Sequence, residues 1–131
     1  MCEEIRQEAN GNLMLIGVLQ VIRVPSLPVG APRLFVYNRW TSGVGQFTET
    51  TRLIAPDQTT VLRTQNAKFA LQEAAQSAIN VTLFGNVEFA SPGVYYIEVL
   101  IDDVMKIRAP LPVVVLPPQP GQQQAPSTTS Q

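Results

Sequence analysis

Short apolar segments separated by turn-forming residues fill the first 116 residues, and this pattern constrains the fold more than any other feature of the sequence. Turn signals at intervals of about 8–12 residues are typical of antiparallel β-sandwiches. The clearest turn signals are Asn10-Gly11, Ser42 to Gly45, Asp57-Gln58, Ser91-Pro92-Gly93 and Asp102-Asp103. The pattern predicts an all-β antiparallel sandwich of about seven to eight strands over residues 1–116.

The first turn signal predicts a hairpin. Asn-Gly accepts positive φ at both positions and closes two-residue turns of type I′. With such a turn at Asn10-Gly11, Ile5 lies opposite Ile16. The second strand of this hairpin, within NLMLIGVLQVI, is apolar on both faces, which is typical of a central strand.

Local residue patterns predict the structure of three further segments. The prolines of Val24 to Pro32 remove backbone donors, so this segment is predicted to cross between sheets as a loop. Lys68 to Ala78 is rich in helix-forming residues but short and uncapped, so at most one or two helical turns are expected there. In the segment from Ile79 to Phe89, alternation predicts two faces. The first face carries Ile79, Val81, Leu83, Val87 and Phe89, and the second carries Asn80, Thr82, Asn86 and Glu88.

The apolar pattern around Asp102-Asp103 predicts an irregular hairpin. A plain two-residue turn would place Val99 opposite Lys106, with a charge on the core face. One extra residue, as a bulge or longer loop around Asp102 to Val104, places Val99 opposite Ile107 instead. The same register puts Glu98 opposite Arg108 on the solvent face. Asp102 and Asp103 are read as turn residues, since the further oxygen ligands of a metal site are missing nearby.

The segment PGVYYIEV resembles the strand of an immunoglobulin-like sandwich in which a Gly-x-Tyr follows a turn, here Gly93 and Tyr95, with a core residue at Ile97. Trp40 resembles the core tryptophan of such domains. The whole chain is also similar to a bacterial family of small proteins of unknown function. That likeness rests on CEEIRQEANGNLMLIG, APRLFVYNRW and SPGVYYIEVLIDD. It supports this fold, provides no assigned catalytic or binding residues to carry over to this chain, and leaves the function open.

Composition argues against several functions. The chain has no histidine and one cysteine, Cys2, so His-based catalysis, a disulfide and most zinc sites are not expected. Cys2 is expected to be a buried thiol on a strand. A formal net charge of −1 argues against nucleic acid or an anionic membrane as partner. We expect no enzyme activity, no metal and no cofactor, and a cytoplasmic protein with its native Met1.

One strand carries the candidate site. In RLFVYNRWTS, Leu34, Val36, Asn38 and Trp40 share one face. The other face presents Arg33, Phe35, Tyr37 and Arg39, residue types that are enriched in protein interfaces. Two interpretations remain open for these four residues: an interface with a protein partner or a second copy, or ordinary strand positions that are solvated or covered by a loop.

These observations predict a non-enzymatic structural or protein-interaction module. The alternative is a sandwich that binds a small ligand or carbohydrate through loops at one end.

The last fifteen residues differ from the rest of the chain in composition. Residues 117–131 have the sequence PPQPGQQQAPSTTSQ, which has no apolar periodicity. They are predicted to form a flexible low-complexity tail.

Overall fold

The computed structural model describes residues 1–41 and 43–117, except for the side chains of residues 31 and 32. The predicted tail therefore lies, from residue 118 onward, outside the described residues. The described part contains nine β-strands and no helix, so the all-β prediction is confirmed and the strand number exceeds the expected seven to eight. The strands are β1 (Cys2–Gln7), β2 (Leu13–Val18), β3 (Ile22–Val24), β4 (Val29–Thr41), β5 (Gly45–Ile54), β6 (Val61–Leu71), β7 (Ser77–Phe89), β8 (Gly93–Ile101) and β9 (Val104–Val115).

The strands form two sheets. Sheet A has the order β2-β1-β4-β7, and sheet B has the order β3-β9-β8-β5-β6. All pairs are antiparallel except β3 with β9, which is parallel. The predicted crossing loop is confirmed in part. Residues 25–28 carry the chain from sheet B to sheet A, but β4 already begins at Val29.

The inward-facing residues of β4, β5, β7, β8 and β9 form the core. Its fully buried members are Leu34, Val36, Leu53, Phe84, Val87, Phe89, Tyr95, Ile97, Val99, Leu111 and Val113. Trp40 is half-buried and packs against this cluster, as its expected core role requires. Cys2 is buried in β1, as expected.

The β1–β2 hairpin is present, but its predicted register is wrong by one residue. Ile5 lies opposite Leu15, and Glu4 lies opposite Ile16. The connection is longer than a two-residue turn, because the Glu8 N–H donates to the Asn12 carbonyl at 2.7 Å and closes a three-residue loop. Gly11 takes a φ of +91° in this loop, where a residue without a Cβ is unstrained.

β2 is an edge strand, so its predicted central position is wrong. Leu13, Met14, Leu15 and Val18 are 36–65% exposed. A strand with apolar side chains on both faces is ordinarily covered by neighbouring elements. Within the described residues, β2 has no neighbouring strand along one edge, and much of both its faces is uncovered. β2 therefore presents unpaired backbone groups beside exposed apolar side chains.

Lys68 to Ala78 contains no helical turn, contrary to the prediction. β6 continues to Leu71 and pairs with β5 through Thr48–Lys68, Phe47–Phe69 and Gly45–Leu71. A helix of one or two turns has only a few backbone hydrogen bonds of its own. The ladder with β5 satisfies the same groups and buries Leu71, so tertiary pairing overrides local helix propensity.

The two faces of β7 differ from the predicted ones. Thr82 and Phe84 point into the core, as do Val87 and Phe89, whereas Ile79, Val81 and Leu83 point outward. Inward-facing positions thus change from even to odd numbers at Gly85-Asn86, where Asn86 has a φ of +53°. The strict alternation assumed for this segment fails at Asn86, because its positive φ departs from the extended backbone that alternation requires, although the register with β4 stays unchanged.

The predicted register of β8 and β9 is confirmed. Ile97 lies opposite Ala109, Val99 opposite Ile107 and Glu98 opposite Arg108. The extra residue is Lys106, because Leu100 pairs with Met105 and Val99 with Ile107. The turn itself stays at Asp102-Asp103, whose φ values are +49° and +69°. The bulge therefore lies in β9, two residues after the segment in which it was expected.

Glu98 lies on the outer face of sheet B opposite Arg108, as predicted, but it is only 8% exposed, so its expected contact with solvent is wrong. Its Oε1 accepts a hydrogen bond from Arg52 at 2.7 Å, and its Oε2 lies 3.5 Å from Nε of Arg108. The Arg108 guanidinium stacks over Tyr96, 4.1 Å from the ring centroid. These long side chains cover the outer surface of sheet B and bury the carboxylate between them.

The outer edge of β7 is covered by side chains of β6. Gln65 donates from Nε2 to the Leu83 carbonyl at 2.7 Å, and Arg63 donates to the Gly85 carbonyl at 2.6 Å. These bonds join the last strand of sheet A to the last strand of sheet B, and they use acceptors that an edge strand otherwise leaves to water.

Candidate interaction surface

The predicted interface residues lie together on the outer surface of sheet A. Phe35 and Tyr37 of β4 lie directly opposite Leu83 and Val81 of β7, and Arg39 lies opposite Ile79. We call this surface the β4–β7 outer face. Its members are Arg33, Phe35, Tyr37, Arg39, Ile79, Val81 and Leu83. Side chains directly opposite on antiparallel strands are near neighbours, so the apolar members form one continuous patch.

Alternation along β4 produces this face. Leu34, Val36 and Asn38 are buried between the sheets, so the odd-numbered positions between them point outward. Arg33 and Arg39 are exposed, whereas Phe35 and Tyr37 are half-buried by their neighbours on the same surface. The predicted orientation of these seven positions is confirmed, with the arginines at the two ends of the aromatic pair.

The β7 half of the patch was not predicted from the sequence. Ile79, Val81 and Leu83 are 48%, 43% and 41% exposed, although they look like core residues in the sequence. One signal could have identified them. Phe84 follows Leu83 directly, so one of the two must face outward, and Gly85-Asn86 is a sequence that accommodates a change of face.

Charge on this surface is uneven. The Arg33 guanidinium lies 6.0 Å from the centroid of the Phe35 ring and 3.9 Å from Oε1 of Glu4 on β1. Arg6 donates to the other Glu4 oxygen at 2.5 Å, and this bond lowers the pKa of the Glu4 carboxyl. Among the described residues, no carboxylate lies within ion-pair distance of Arg39. The surface is therefore apolar at its centre and basic at its Arg39 end.

Chemistry elsewhere in the described residues is sparse. Burial raises the pKa of the Cys2 thiol, so the neutral thiol is favoured over the reactive thiolate. No group of three or more His, Cys, Asp or Glu side chains in the described part could hold a metal ion. Within residues 1–41 and 43–117, no helix is long and apolar enough to cross a membrane.

Asp57 at the β5–β6 turn gives a pH-dependent prediction. Its carboxylate accepts bonds from the Thr60 hydroxyl and from the backbone N–H groups of Thr60 at 2.8 Å and Thr59 at 2.9 Å. These bonds lower the pKa of Asp57 to about 2. A lowered folded-state pKa stabilises the fold above the ordinary Asp pKa of about 4, and this stabilisation is lost as the pH falls toward 2.

We therefore expect Asp57→Ala to lower the melting temperature at pH 7 and to have little effect at pH 2. Thermal unfolding of both proteins between pH 7 and pH 2 measures the difference. Glu73→Ala, which removes an exposed carboxylate from the connection between β6 and β7, is the comparison for general effects of a lost charge. A constant difference between wild type and Asp57→Ala across this range would contradict the prediction.

Comparison with known proteins found no match among curated proteins and none among solved structures. A family model described as a family of unknown function, DUF6941, matches residues 1–114. The match covers all nine strands up to the penultimate residue of β9. It agrees with the expected membership in a family of unknown function. The chain belongs to the DUF6941 family.

Proposed function

We propose that this chain is a non-enzymatic protein-interaction module with immunoglobulin-like architecture, and that it binds a protein partner through the β4–β7 outer face. The observation that best supports this proposal is the continuous apolar patch on that face, where three aliphatic side chains that are more than 40% exposed lie beside two aromatic rings. Contiguous exposed apolar surface rimmed by polar residues is typical of protein-binding sites.

Strand order supports the immunoglobulin-like architecture. β1, β4 and β7 lie in one sheet, β5, β8 and β9 lie in the other, and β3 crosses to pair in parallel with β9. The Tyr95 hydroxyl donates to the Ser91 carbonyl at 2.8 Å. A tyrosine at the start of this strand whose hydroxyl bonds to backbone a few residues upstream is a hallmark of such sandwiches.

The charges at the patch favour a partner with acidic residues around an apolar centre. Between Arg33 and Arg39, the outward positions of β4 and their β7 partners carry no acid. A partner with Asp or Glu at its rim complements both arginines, and complementary charge fixes the orientation of the two proteins. Tyr and Arg, here Tyr37 and the two arginines, are among the residue types that most often dominate interface energetics, and Phe, here Phe35, is enriched in interfaces.

The proposed site of action is the bacterial cytoplasm. The single cysteine is buried and unpaired in β1, which fits a reducing compartment where disulfides are not used for stability. A formal net charge of −1 supports a partner other than nucleic acid or an anionic lipid surface.

Site-specific photo-cross-linking tests the proposed face. A photoreactive phenylalanine analogue replaces Tyr37 or Val81 in the full chain, and a control protein carries it at the exposed Thr59 of the β5–β6 turn. We expect the same protein adduct from positions 37 and 81 in native lysate and none from position 59. Mass spectrometry identifies the adduct, and the partner is then purified for binding measurements.

The double variant Tyr37→Ala/Arg39→Ala should weaken binding to that partner by at least about tenfold, because truncated aromatic and arginine anchors are the largest contributors at interfaces. Its melting temperature should stay close to that of the wild type. A large fall in the melting temperature with an unchanged affinity would show that Tyr37 and Arg39 stabilise the fold and do not bind the partner. Adducts of the same partner from position 59 would also contradict the proposal.

A further inference from the structure

Three connections meet at one end of the sandwich and surround a second site, away from the β4–β7 outer face. They join β4 to β5, β6 to β7 and β8 to β9. A cleft of about 120 Å³ opens between them. Its principal lining residues are Trp40, Phe47, Phe69, Leu71, Ile101 and Lys106. The lining is thus almost wholly apolar, with one charged side chain.

The aromatic wall of this cleft is held in a fixed orientation. The Trp40 and Phe69 rings lie 6.4 Å apart at 16°, and the Phe47 and Phe69 rings lie 5.4 Å apart at 30°. The Trp40 indole N–H donates to Oε2 of Glu49 at 2.5 Å, and Glu49 is 1% exposed. A buried hydrogen bond of this kind prevents the indole from turning into the cleft and filling it.

Lys106 reaches the cleft because of the bulge in β9. It is the residue without a partner between the Leu100–Met105 and Val99–Ile107 pairs. Bulges redirect a side chain away from its regular alternation and are frequent next to binding sites. Lys106 is the only charged residue that lines the cleft among the described residues.

We propose that the cleft binds a small aryl carboxylate, with its ring against Trp40, Phe47 and Phe69 and its carboxylate at the Lys106 ammonium. The volume suits one six-membered ring, since a cavity of about 150 Å³ holds benzene. Offset stacking on the aromatic wall orients the ring. The charge-assisted bond to Lys106 selects the acid over neutral analogues. This inference is independent of the proposed protein interface, which uses other residues.

Trp40 is the only tryptophan of the chain, so intrinsic fluorescence reports directly on the cleft. The full chain is titrated at pH 7 with 3-phenylpropionate, with its neutral amide and with 3-phenylpropylamine. We expect a saturable change with the acid, half-complete at about 1 mM or below, which is ordinary for a ligand of this size. The amide should bind roughly fivefold more weakly, and the amine more weakly still.

Lys106→Gln keeps a polar side chain, shorter by one atom, and removes its charge. We expect this variant to bind acid and amide equally, with an unchanged melting temperature. Lys68→Gln on β6 of the same sheet is the matched control, because Lys68 is not among the lining residues, and it should keep the preference for the acid.

Two results would overturn the inference. The first is the lack of a saturable response to any of the three probes beyond that of free N-acetyltryptophanamide. The second is tighter binding of the amine. That result would assign the charge preference to Glu49, whose Oε1 has no hydrogen-bond partner among the described residues.

Discussion

Replacing Phe84 with alanine should lower the free energy of unfolding by about 3–5 kcal/mol, which is the usual loss for a fully buried phenylalanine. Phe84 is 0% exposed, lies in the core cluster and has the Arg63 guanidinium 5.7 Å from its ring centroid. Its removal leaves a cavity between the sheets that the surrounding strands cannot close. Urea unfolding of Phe84→Ala and wild type measures the difference.

Leu83→Ala is the matched control, one position away on the same strand. Leu83 is 41% exposed on the outer surface, so its truncation should change the free energy of unfolding by no more than about 0.5 kcal/mol. The pair of variants tests the orientation of β7. A large loss for Leu83→Ala together with a small loss for Phe84→Ala would mean that the strand faces the opposite way.

Glu98→Ala should give the second large loss, about 1–3 kcal/mol. The carboxylate is nearly enclosed by Arg52 and Arg108, and its removal leaves the partly covered Arg52 guanidinium without its partner at 2.7 Å. Breaking a buried pair costs more than the pair contributes, because the remaining charge is left desolvated. The arginines are still about one-third exposed, at 34% and 36%, and this moderates the effect.

Equilibrium unfolding in urea, at low and at 1 M salt, measures this effect. Glu88→Ala on β7 is the comparison, since Glu88 is exposed and has no ion pair among the described residues. Glu98→Ala should remain destabilising in 1 M salt, because burial protects the pair from screening. Equal stability of the two variants would refute the structural role given to Glu98.

Sequence reasoning succeeded where the apolar pattern alone decides the register. In β8 and β9, Ile97 and Val99 must face the core, and a slip by one residue would bring charged side chains inward. The penalty for the wrong register is large and local, so the need for a bulge could be inferred. Only its position, at Lys106, required the structure.

Turn-forming residues and local helix propensity predicted strand register and strand pairing less well than the apolar pattern did. Asn10-Gly11 serves a three-residue loop as well as a two-residue turn, so the sequence did not distinguish the two registers of β1 and β2. The edge position of β2 depends on which distant strands pair, which its own residues do not encode. The same holds for Lys68 to Ala78, where pairing with β5 replaces the predicted helical turns.

Only the β4 half of the candidate surface could be predicted from the sequence. Regular alternation along β4 placed Arg33, Phe35, Tyr37 and Arg39 outward. The β7 half was missed because the positive φ of Asn86 reverses the faces, and a single backbone angle leaves little trace in an apolar sequence. The cleft lined by Trp40 could not be inferred at all, since it combines residues from five strands.

The bonds from Gln65 and Arg63 to the β7 carbonyls have a consequence for assembly. Sheet A has two outer strands, and side chains of β6 occupy two carbonyl acceptors on β7, so among the described residues β2 has the more open edge. A filament needs two open edges on every subunit, one for each neighbour. Strand addition through β2 alone therefore closes at a pair of molecules and does not propagate into a fibre.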